Sequence, residues 1–416
     1  MMTIPAETEV IKTSAQPRTR RVPAPGQSPE TAQPAVSGIL DTTGNNSAFL
    51  RTAGFRVSPD DVSVPASLVT QYGLRRGDQI NGTARPAGSS APARGSQPRA
   101  RAAHDVLARV DTVNGLPGAH AHDRPSFDAL TPLYADDRLR LEDGSASATA
   151  RIIDLVGPIG RGQRGLIVSP PKAGKTMVLK EIAAAIALAY PEVHLMMVLV
   201  GERPEEVTDI RRSVHGEVVF STFDHNAQDH ILVAELAIER AKRLVELGRD
   251  VVVLLDSITR LARAYNVVAP ASSRILAGGV AASALQPPRK FLGAARNVEH
   301  GGSLTILSTA LIETGSRMDD VFFEEFKGTG NMELRLRRDL AEKRLYPAID
   351  VTASGTRRDE LLMAPDEYAA VTKLRRGLAD LSAPQGLELL LERTRGTSSN
   401  AEFLRQVQGS DTYGRR

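Results

Sequence analysis

A short apolar run, GLIV (Gly165 to Val168), leads into SPPKAGKT (Ser169 to Thr176), and an alanine-rich amphipathic run (Met177 to Tyr190) leads out. The pattern predicts a strand, a tight loop and a helix that begins at GKT. In that arrangement the N–H groups of the loop and of the helix N-terminus converge on one spot, which suits a phosphate. Lys175 would reach the outer phosphates, and the Thr176 hydroxyl would hold Mg2+. Ser169 stands where such loops usually carry a glycine, and two prolines stiffen the turn after it. The flanking strand and helix favour nucleotide binding over a chance loop.

The chain has 416 residues, room for two or three domains, and 41% are hydrophobic, enough for a substantial core. Its 52 basic and 49 acidic residues nearly cancel, so any affinity for nucleic acid must come from local clusters. Cysteine is absent, which excludes disulfides and thiolate metal sites and agrees with a cytoplasmic setting. No apolar run approaches the roughly 20 residues of a membrane helix, so no membrane partner is expected.

Residues 1–37 are rich in Pro, Ala, Thr and Ser and lack apolar periodicity, as a disordered tail does. From Gly38 the runs GIL, AFLRT, FRV and VSV alternate with turn signals, followed by Leu68 to Pro86 and Asp105 to Asn114. These predict a small closed β-barrel of the OB or cold-shock type over 38–115. Such barrels hold single strands with cations and stacking rings, and Phe49, Phe55, Arg51, Arg75 and Arg76 are the candidates. A place in the barrel core is an equal alternative for both phenylalanines. Within this stretch, 87–103 reads as a mobile basic loop, and 116–130 reads as a linker. From 131 to 416 apolar runs alternate with helical patterns, predicting an α/β domain with a parallel sheet flanked by helices.

Phosphoryl transfer needs a metal, an orienting base and charge neutralisation at strand ends. VVLLD places Asp256 as a Walker B acid on the Mg2+ shell, and HLMMVLV runs into Glu202, a base for an attacking water. Arg203, Arg260 and Arg357 follow strand or loop signals and are equal candidates to neutralise a phosphate, with a surface salt bridge the default reading for any one of them. The loops at LAGGV (Leu276 to Val280) and ETGSRMDDV (Glu313 to Val321) suit either a grip on a polymer backbone or plain connection.

Long stretches carry a family resemblance: PIGRGQRGLIVSPPKAGKTM (Pro158 to Met177), ERPEEVT (Glu202 to Thr208), LLDSITRLARAYN (Leu254 to Asn266) and EEFKGTGNMEL (Glu324 to Leu334). FLGAARNVEHGGSLTILSTALIETGSRMDDV (Phe291 to Val321) and AEKRLYPAIDVTASGTRRDELL (Ala341 to Leu362) complete it. From about Gly38 onward the chain resembles the bacterial Rho termination factors, ring-shaped hexameric RNA translocases with a RecA-type ATPase core. The resemblance implies ATP and Mg2+, single-stranded RNA, a homohexamer and a transcribing RNA polymerase complex as partner. It implies a nucleotide pocket formed by Gly160, Arg161, Gly162, Gln163, Arg164, Gly165, Lys172, Ala173, Gly174, Lys175, Thr176 and Met177. Glu202 and Lys175 would be catalytic with Asp256, and Arg203 would sense the γ-phosphate. Arg260 would support the subunit interface, Arg357 would be a finger for the neighbouring subunit, and Tyr346 would lie against adenine. Gly278, Gly279, Val280 and Arg317 would contact RNA in the central channel, and Phe49 and Arg51 in the barrel.

The chain departs from the family pattern in the barrel, where a two-ring strand motif is reduced to Asn46-Ser47-Ala48-Phe49 and where Ser63 and His104 fall at positions that often carry rings to cradle bases. Gly201 replaces an acid before Glu202, and Ala277, Ala281 and Ser283 replace polar channel residues. A second reading therefore stands beside the translocase: a divergent paralogue that assembles and binds nucleotide but mainly regulates.

Overall fold

A computed structural model describes residues 34–43, 47–87, 104–142 and 147–410. The expected tail (apart from 34–37), nearly all of the basic loop and Asn46 lie outside the described residues. Pro34–Arg416 form one compact unit.

The first part is the closed barrel that the alternation predicts. Strands β1 (Ala35–Thr43), β2 (Ser47–Arg51), β3 (Val62–Val64), β4 (Gln79–Arg85) and β5 (Val106–Val113) run in the order β3-β2-β1-β4-β5. A parallel pairing of Ser63 with Val106 closes the edge, which removes the unpaired strand edges an open sheet would leave. Helix α1 (Ala66–Tyr72) sits between β3 and β4, and Leu40, Leu50, Ile80 and Leu107 fill the interior. Two details depart from the expectation. The sheet starts at Ala35, three residues before Gly38. FRV is not a strand but a turn, whose Phe55 is buried among side chains of the α/β core rather than in the barrel.

Short strands β6 (Leu116–Pro117), β7 (Pro132–Leu133), β8 (Arg138–Leu139) and β9 (Ile159–Gly160) and helix α2 (Ala148–Val156) lead into the second part. Its parallel strands are β10 (Arg164–Ser169), β11 (His194–Glu202), β12 (Glu217–Thr222), β13 (Val251–Asp256), β15 (Ser303–Leu311) and β16 (Met332–Arg335). They lie in the order β12-β11-β13-β15-β10-β16. β14 (Arg296–Val298) and β17 (Gly355–Thr356) add antiparallel edges. Every residue of β13 is buried, as a central parallel strand covered on both faces requires.

Helices cover the two faces. On one side lie α2, α3 (Lys175–Ala189), α4 (Pro204–Ser213) and the C-terminal α10 (Pro365–Leu378), α11 (Ala383–Arg395) and α12 (Asn400–Gly409), with α9 (Arg338–Glu342) beside them. On the other lie α5 (Ala227–Val245), α6 (Ile258–Val267), α7 (Ala282–Gly293) and α8 (Arg317–Lys327). No helix among the described residues is long and apolar enough to cross a membrane.

The barrel is tied to the core by the arginines that composition offers as RNA contacts. Arg75 pairs with Glu246 at 3.1 Å. Arg76 bridges Asp41 of the barrel (3.0 Å) and Glu235 of α5 (2.9 Å). From the core side, Arg240 donates to Asn114 (2.8 Å) and Gln79 (2.7 Å). Gly77, at φ +89°, lets the barrel approach α5 so closely that a Cβ there would lie 2.4 Å from the Glu239 carbonyl carbon.

Arg51 is likewise structural. Only 6% exposed, it donates to Asp41 (3.0 Å) and Asp61 (2.6 Å), so its guanidinium is withdrawn from any groove. Removing one member of a buried ion pair strands the others without solvent, at a cost of about 3–5 kcal/mol. Arg51→Ala is expected to lower unfolding free energy by that amount in urea titration, and an unchanged midpoint would contradict the buried triad.

Candidate functional site

The loop between β10 and α3 closes as its sequence requires. Gly174 caps the helix at φ +89°, in the left-handed region, and Lys175 is the first helical residue. Lys172, at φ +68°, makes the preceding turn, with Ala173 buried beneath it. Ser169 ends β10 in regular pairing with Leu311, where no glycine is needed, and its hydroxyl donates to the Pro170 carbonyl at 3.0 Å. Thr176 and the exposed Met177 follow Lys175 on the first turn of α3. Tyr346 overhangs the loop, its ring 3.7 Å from where a Cβ on Gly174 would sit.

Three parallel strand ends deliver the charges. β11 carries Glu202 and β13 carries Asp256, and both carboxylates meet the Lys175 ammonium, at 2.8 Å and 2.6 Å. Glu202 is 2% exposed and Asp256 not at all. The other Asp256 oxygen accepts from the Thr309 hydroxyl at 2.7 Å, and Arg260 reaches Glu202 at 3.3 Å. A bulge between Val200 and Glu202 breaks the register of β11. Its extra residue is Gly201, at φ +66°, packed under the Arg260 side chain. The glycine that replaces an acid in the family pattern thus occupies a backbone position that suits glycine.

Burial, and then the Asp256 charge, push the Glu202 carboxyl up to about 7. Burial pulls Lys175 down, but Asp256 and Glu202 outweigh it and hold the ammonium above its ordinary range. A base that titrates near neutrality is matched to proton transfer at physiological pH.

A Mg2+ ion that keeps several waters and binds one or two carboxylates beside phosphate oxygens fits Asp256 and Thr176. Among the described residues no group of three His, Asp or Glu could cage a metal without the phosphates. Thr309 is the site residue that motif reasoning passes over. Its signal is a hydroxyl at the end of SLTILSTAL, one strand over from VVLLD.

Gly160, Arg161, Gly162, Gln163, Arg164 and Gly165 do not line this pocket. They lie at the opposite end of β10, about 17 Å away by strand rise alone. Gly162, at φ +87°, packs against the Asn297 backbone, and Arg161 pairs with Asp137 and Asp250. Gln163 (2.8 Å) and the Arg164 N–H (2.9 Å) both hold the Asn331 side chain. The Asn331 carbonyl in turn accepts from the Arg357 N–H at 2.8 Å. The GRGQRG stretch therefore braces the loop that carries Arg357.

Arg357 itself is exposed, and among the described residues its guanidinium has no carboxylate partner. It follows β17, whose Thr356 pairs with Met332, which pairs in turn with Gly165 at the far end of β10. It is thus remote from the Lys175 of its own chain. Arg203 follows Glu202 directly and caps α4 with a side chain two-thirds exposed.

The two loops whose task composition alone leaves open meet. Gly278, at φ +70°, abuts the Arg317 carbonyl, 2.7 Å from where a Cβ would be. Asn266 ties the first loop, accepting from the Ala281 N–H (2.7 Å) and donating to the Gly279 carbonyl (3.2 Å). Arg263 anchors the second through Asp319 at 2.8 Å. Arg317 is exposed, whereas Val280 is fully buried and serves as an anchor, not a contact surface. In the barrel, Phe49 is partly exposed, faces Ser63 across the β2–β3 pair, and meets His104 edge to face at 5.5 Å.

The raised Glu202 carboxyl links pH to stability. The folded chain keeps a proton there that the unfolded chain releases above 4.5. This contribution is full below 4.5 and is lost as pH rises through about 7. In nucleotide-free protein, carbon-13 NMR of labelled glutamate should show one carboxyl titrating near 7. Asp256→Asn should move it down, because the repelling charge is gone. An ordinary glutamate midpoint in both proteins would refute the coupling.

Residues 149–356 match the family model of the ATP synthase alpha/beta nucleotide-binding domain, and residues 36–118 match the Rho termination factor RNA-binding domain. The structure is similar to an ATPase from the type III secretion system of pathogenic bacteria, with a TM-score of 0.57 at 22% identity. That match covers 68% of this chain and 87% of the other, and it shows the shared fold. Transcription termination factor Rho of Streptomyces lividans is 60% identical over 373 residues, covering 90% of this chain and 52% of the relative. That of Streptosporangium roseum is 56% identical over 396 residues, covering 95% of this chain and 98% of the relative. The chain thus spans about half the length of the Streptomyces protein and nearly all of the Streptosporangium one. With both of its parts matched in order, the chain belongs to the transcription termination factor Rho family.

Proposed function

We propose that the chain is an ATP-driven translocase on single-stranded RNA that ends transcription, working as a ring of six copies in the cytoplasm. The observation that carries this reading is a site half complete. Lys175, Glu202 and Asp256 converge within hydrogen-bonding distance, while the exposed Arg357, without a carboxylate partner among the described residues, is mounted at the other end of the sheet. An arginine placed there serves a neighbour's nucleotide, so hydrolysis requires assembly.

In the mechanism, nucleotide phosphates draw the Lys175 ammonium away from the two carboxylates toward the loop N–H groups. Asp256 and Thr176 would hold Mg2+, which neutralises phosphate charge when bound. Glu202, freed of Lys175 and still positioned by Arg260, orients a water in line with the outer phosphate and accepts its proton. The finger from the next copy stabilises the charge that develops on the transferred group. The loops at Gly278–Gly279 and Arg317 touch each other, so movement at either is passed on between β15 and α7 and can drag an RNA backbone.

The barrel supports capture of unpaired RNA. Phe49 and His104 make a two-ring patch even though the sequence keeps one phenylalanine of the family's pair. That patch supports RNA loading and weighs against a purely regulatory paralogue. RNA drawn through the ring would bring the complex up to a transcribing RNA polymerase.

ATP hydrolysis should rise on adding single-stranded RNA. It should fall by ~10³ or more in Arg357→Ala and vanish in Glu202→Gln. Mixing the two inactive variants should restore part of the activity, since some interfaces then pair an intact Glu202 with an intact Arg357. Hydrolysis indifferent to RNA would refute the translocase, and mixed rings as inactive as their components would refute the shared site.

A further inference from the structure

A second basic site lies away from the nucleotide loop, at the end of the sheet that carries the barrel. A groove of about 740 Å³ opens between the linker and the C-terminal half of α7. Phe127, from the linker, forms its floor, and Lys242, Arg289, Lys290 and Arg296 supply its charge. Asp128 is the one acid that lines it.

Two of the cations lie over the floor. The Arg296 guanidinium lies 4.4 Å from the centre of the Phe127 ring, and the Lys242 ammonium lies 5.7 Å from it. Lys242 also pairs with Glu239 and Arg289 with Glu325. Among the described residues neither Lys290 nor Arg296 has a carboxylate partner; Arg296 donates only to the Ala294 carbonyl. Arg164 stands behind, bonded to the Thr329 and Ala295 carbonyls and again to no carboxylate. Burial, and next the charge of Arg296, hold the Arg164 guanidinium below its usual value. Among the described residues Arg164, Lys290 and Arg296 crowd here with no carboxylate paired to any of them, an arrangement that an external polyanion relieves.

The position says which polyanion. Helix α7 starts at the loop containing Gly278 and Gly279 and ends at this groove, about 18 Å along its axis. The groove's floor belongs to the segment that leaves the barrel. The site therefore lies on the surface between the barrel and the paired loops.

We propose that this groove binds the phosphodiester backbone of single-stranded RNA as it passes from the barrel to the channel loops. The inference rests on the RNA-translocase reading above and adds a subsite to it. Contacts are to phosphates through Lys290 and Arg296, so the subsite is indifferent to base sequence. Asp128, being exposed at the rim, turns toward solvent as the strand enters.

The test is the salt dependence of RNA binding by the full chain, between about 50 and 200 mM salt. Two probes are used, a short oligocytidylate that fills only the barrel and a long polycytidylate. Lys290→Gln and Arg296→Gln are made singly and together; Lys290 is exposed, so its variant reports even should loss of Arg296 prevent folding. For the long RNA the log–log slope should flatten by about 0.7 for each cation removed, while the short probe keeps its slope. An unchanged long-RNA slope in Lys290→Gln would overturn the proposal, and so would equal flattening for both probes. Loss of polyglutamate binding with RNA slopes intact would overturn it in favour of an acidic protein segment. A wild-type chain that binds neither RNA would instead remove the translocase reading itself.

Discussion

The Lys175 ammonium, shared between the Glu202 and Asp256 carboxylates, is the interaction on which the rest of the architecture turns. Two acids at the ends of neighbouring strands would repel each other in a dry cleft, and the cation between them makes their proximity tolerable. The strands must be parallel for both acids to end on one side. β10 must lie across β15 from them for the loop to bring Lys175 over, and Thr309 of β15 holds the remaining Asp256 oxygen. The bulge at Gly201 then turns Glu202 into the cleft. In the proposed mechanism phosphates compete for the same ammonium, which would couple nucleotide binding to the state of Glu202 through one side chain.

The opposite end of the sheet carries the exposed Arg357 and the basic groove. GRGQRG and Asn331 brace the loop of Arg357, and a short step away Arg296 faces the groove beside the barrel linker, with Arg164 behind it. Arginines recur here because a guanidinium can satisfy several acceptors at once and stay charged when half buried. Arg75, Arg76 and Arg240 spend theirs on joining barrel to core. The barrel is thereby held to α5 rather than tethered by its linker alone.

Much of this was legible in the sequence, for identifiable reasons. The phosphate loop, Lys175, Glu202 and Asp256 were readable because strand-loop-helix chemistry is local and buried parallel strands are continuous apolar runs. The barrel was readable from alternation and turn residues. What misled was pairing across distance. Arg51 looked like a free cation until Asp41 and Asp61 closed around it. FRV had the composition of a strand but turned to bury Phe55 against the core. GRGQRG sits close to the phosphate loop in the chain, yet β10 separates them by its full length. Val280, in a run of small residues, was pointed inward by the Asn266 bonds on both sides of it. His104 restored a ring beside Phe49 through a contact across the barrel that no local pattern marks.

In the proposed ring each nucleotide site is completed by the neighbouring copy. The most direct measurement is RNA-stimulated ATP hydrolysis per subunit across a dilution series, with assembly state followed by sedimentation at each concentration. With a shared site, specific activity collapses in step with loss of the assembly. Constant specific activity in samples that sediment as single chains would contradict it.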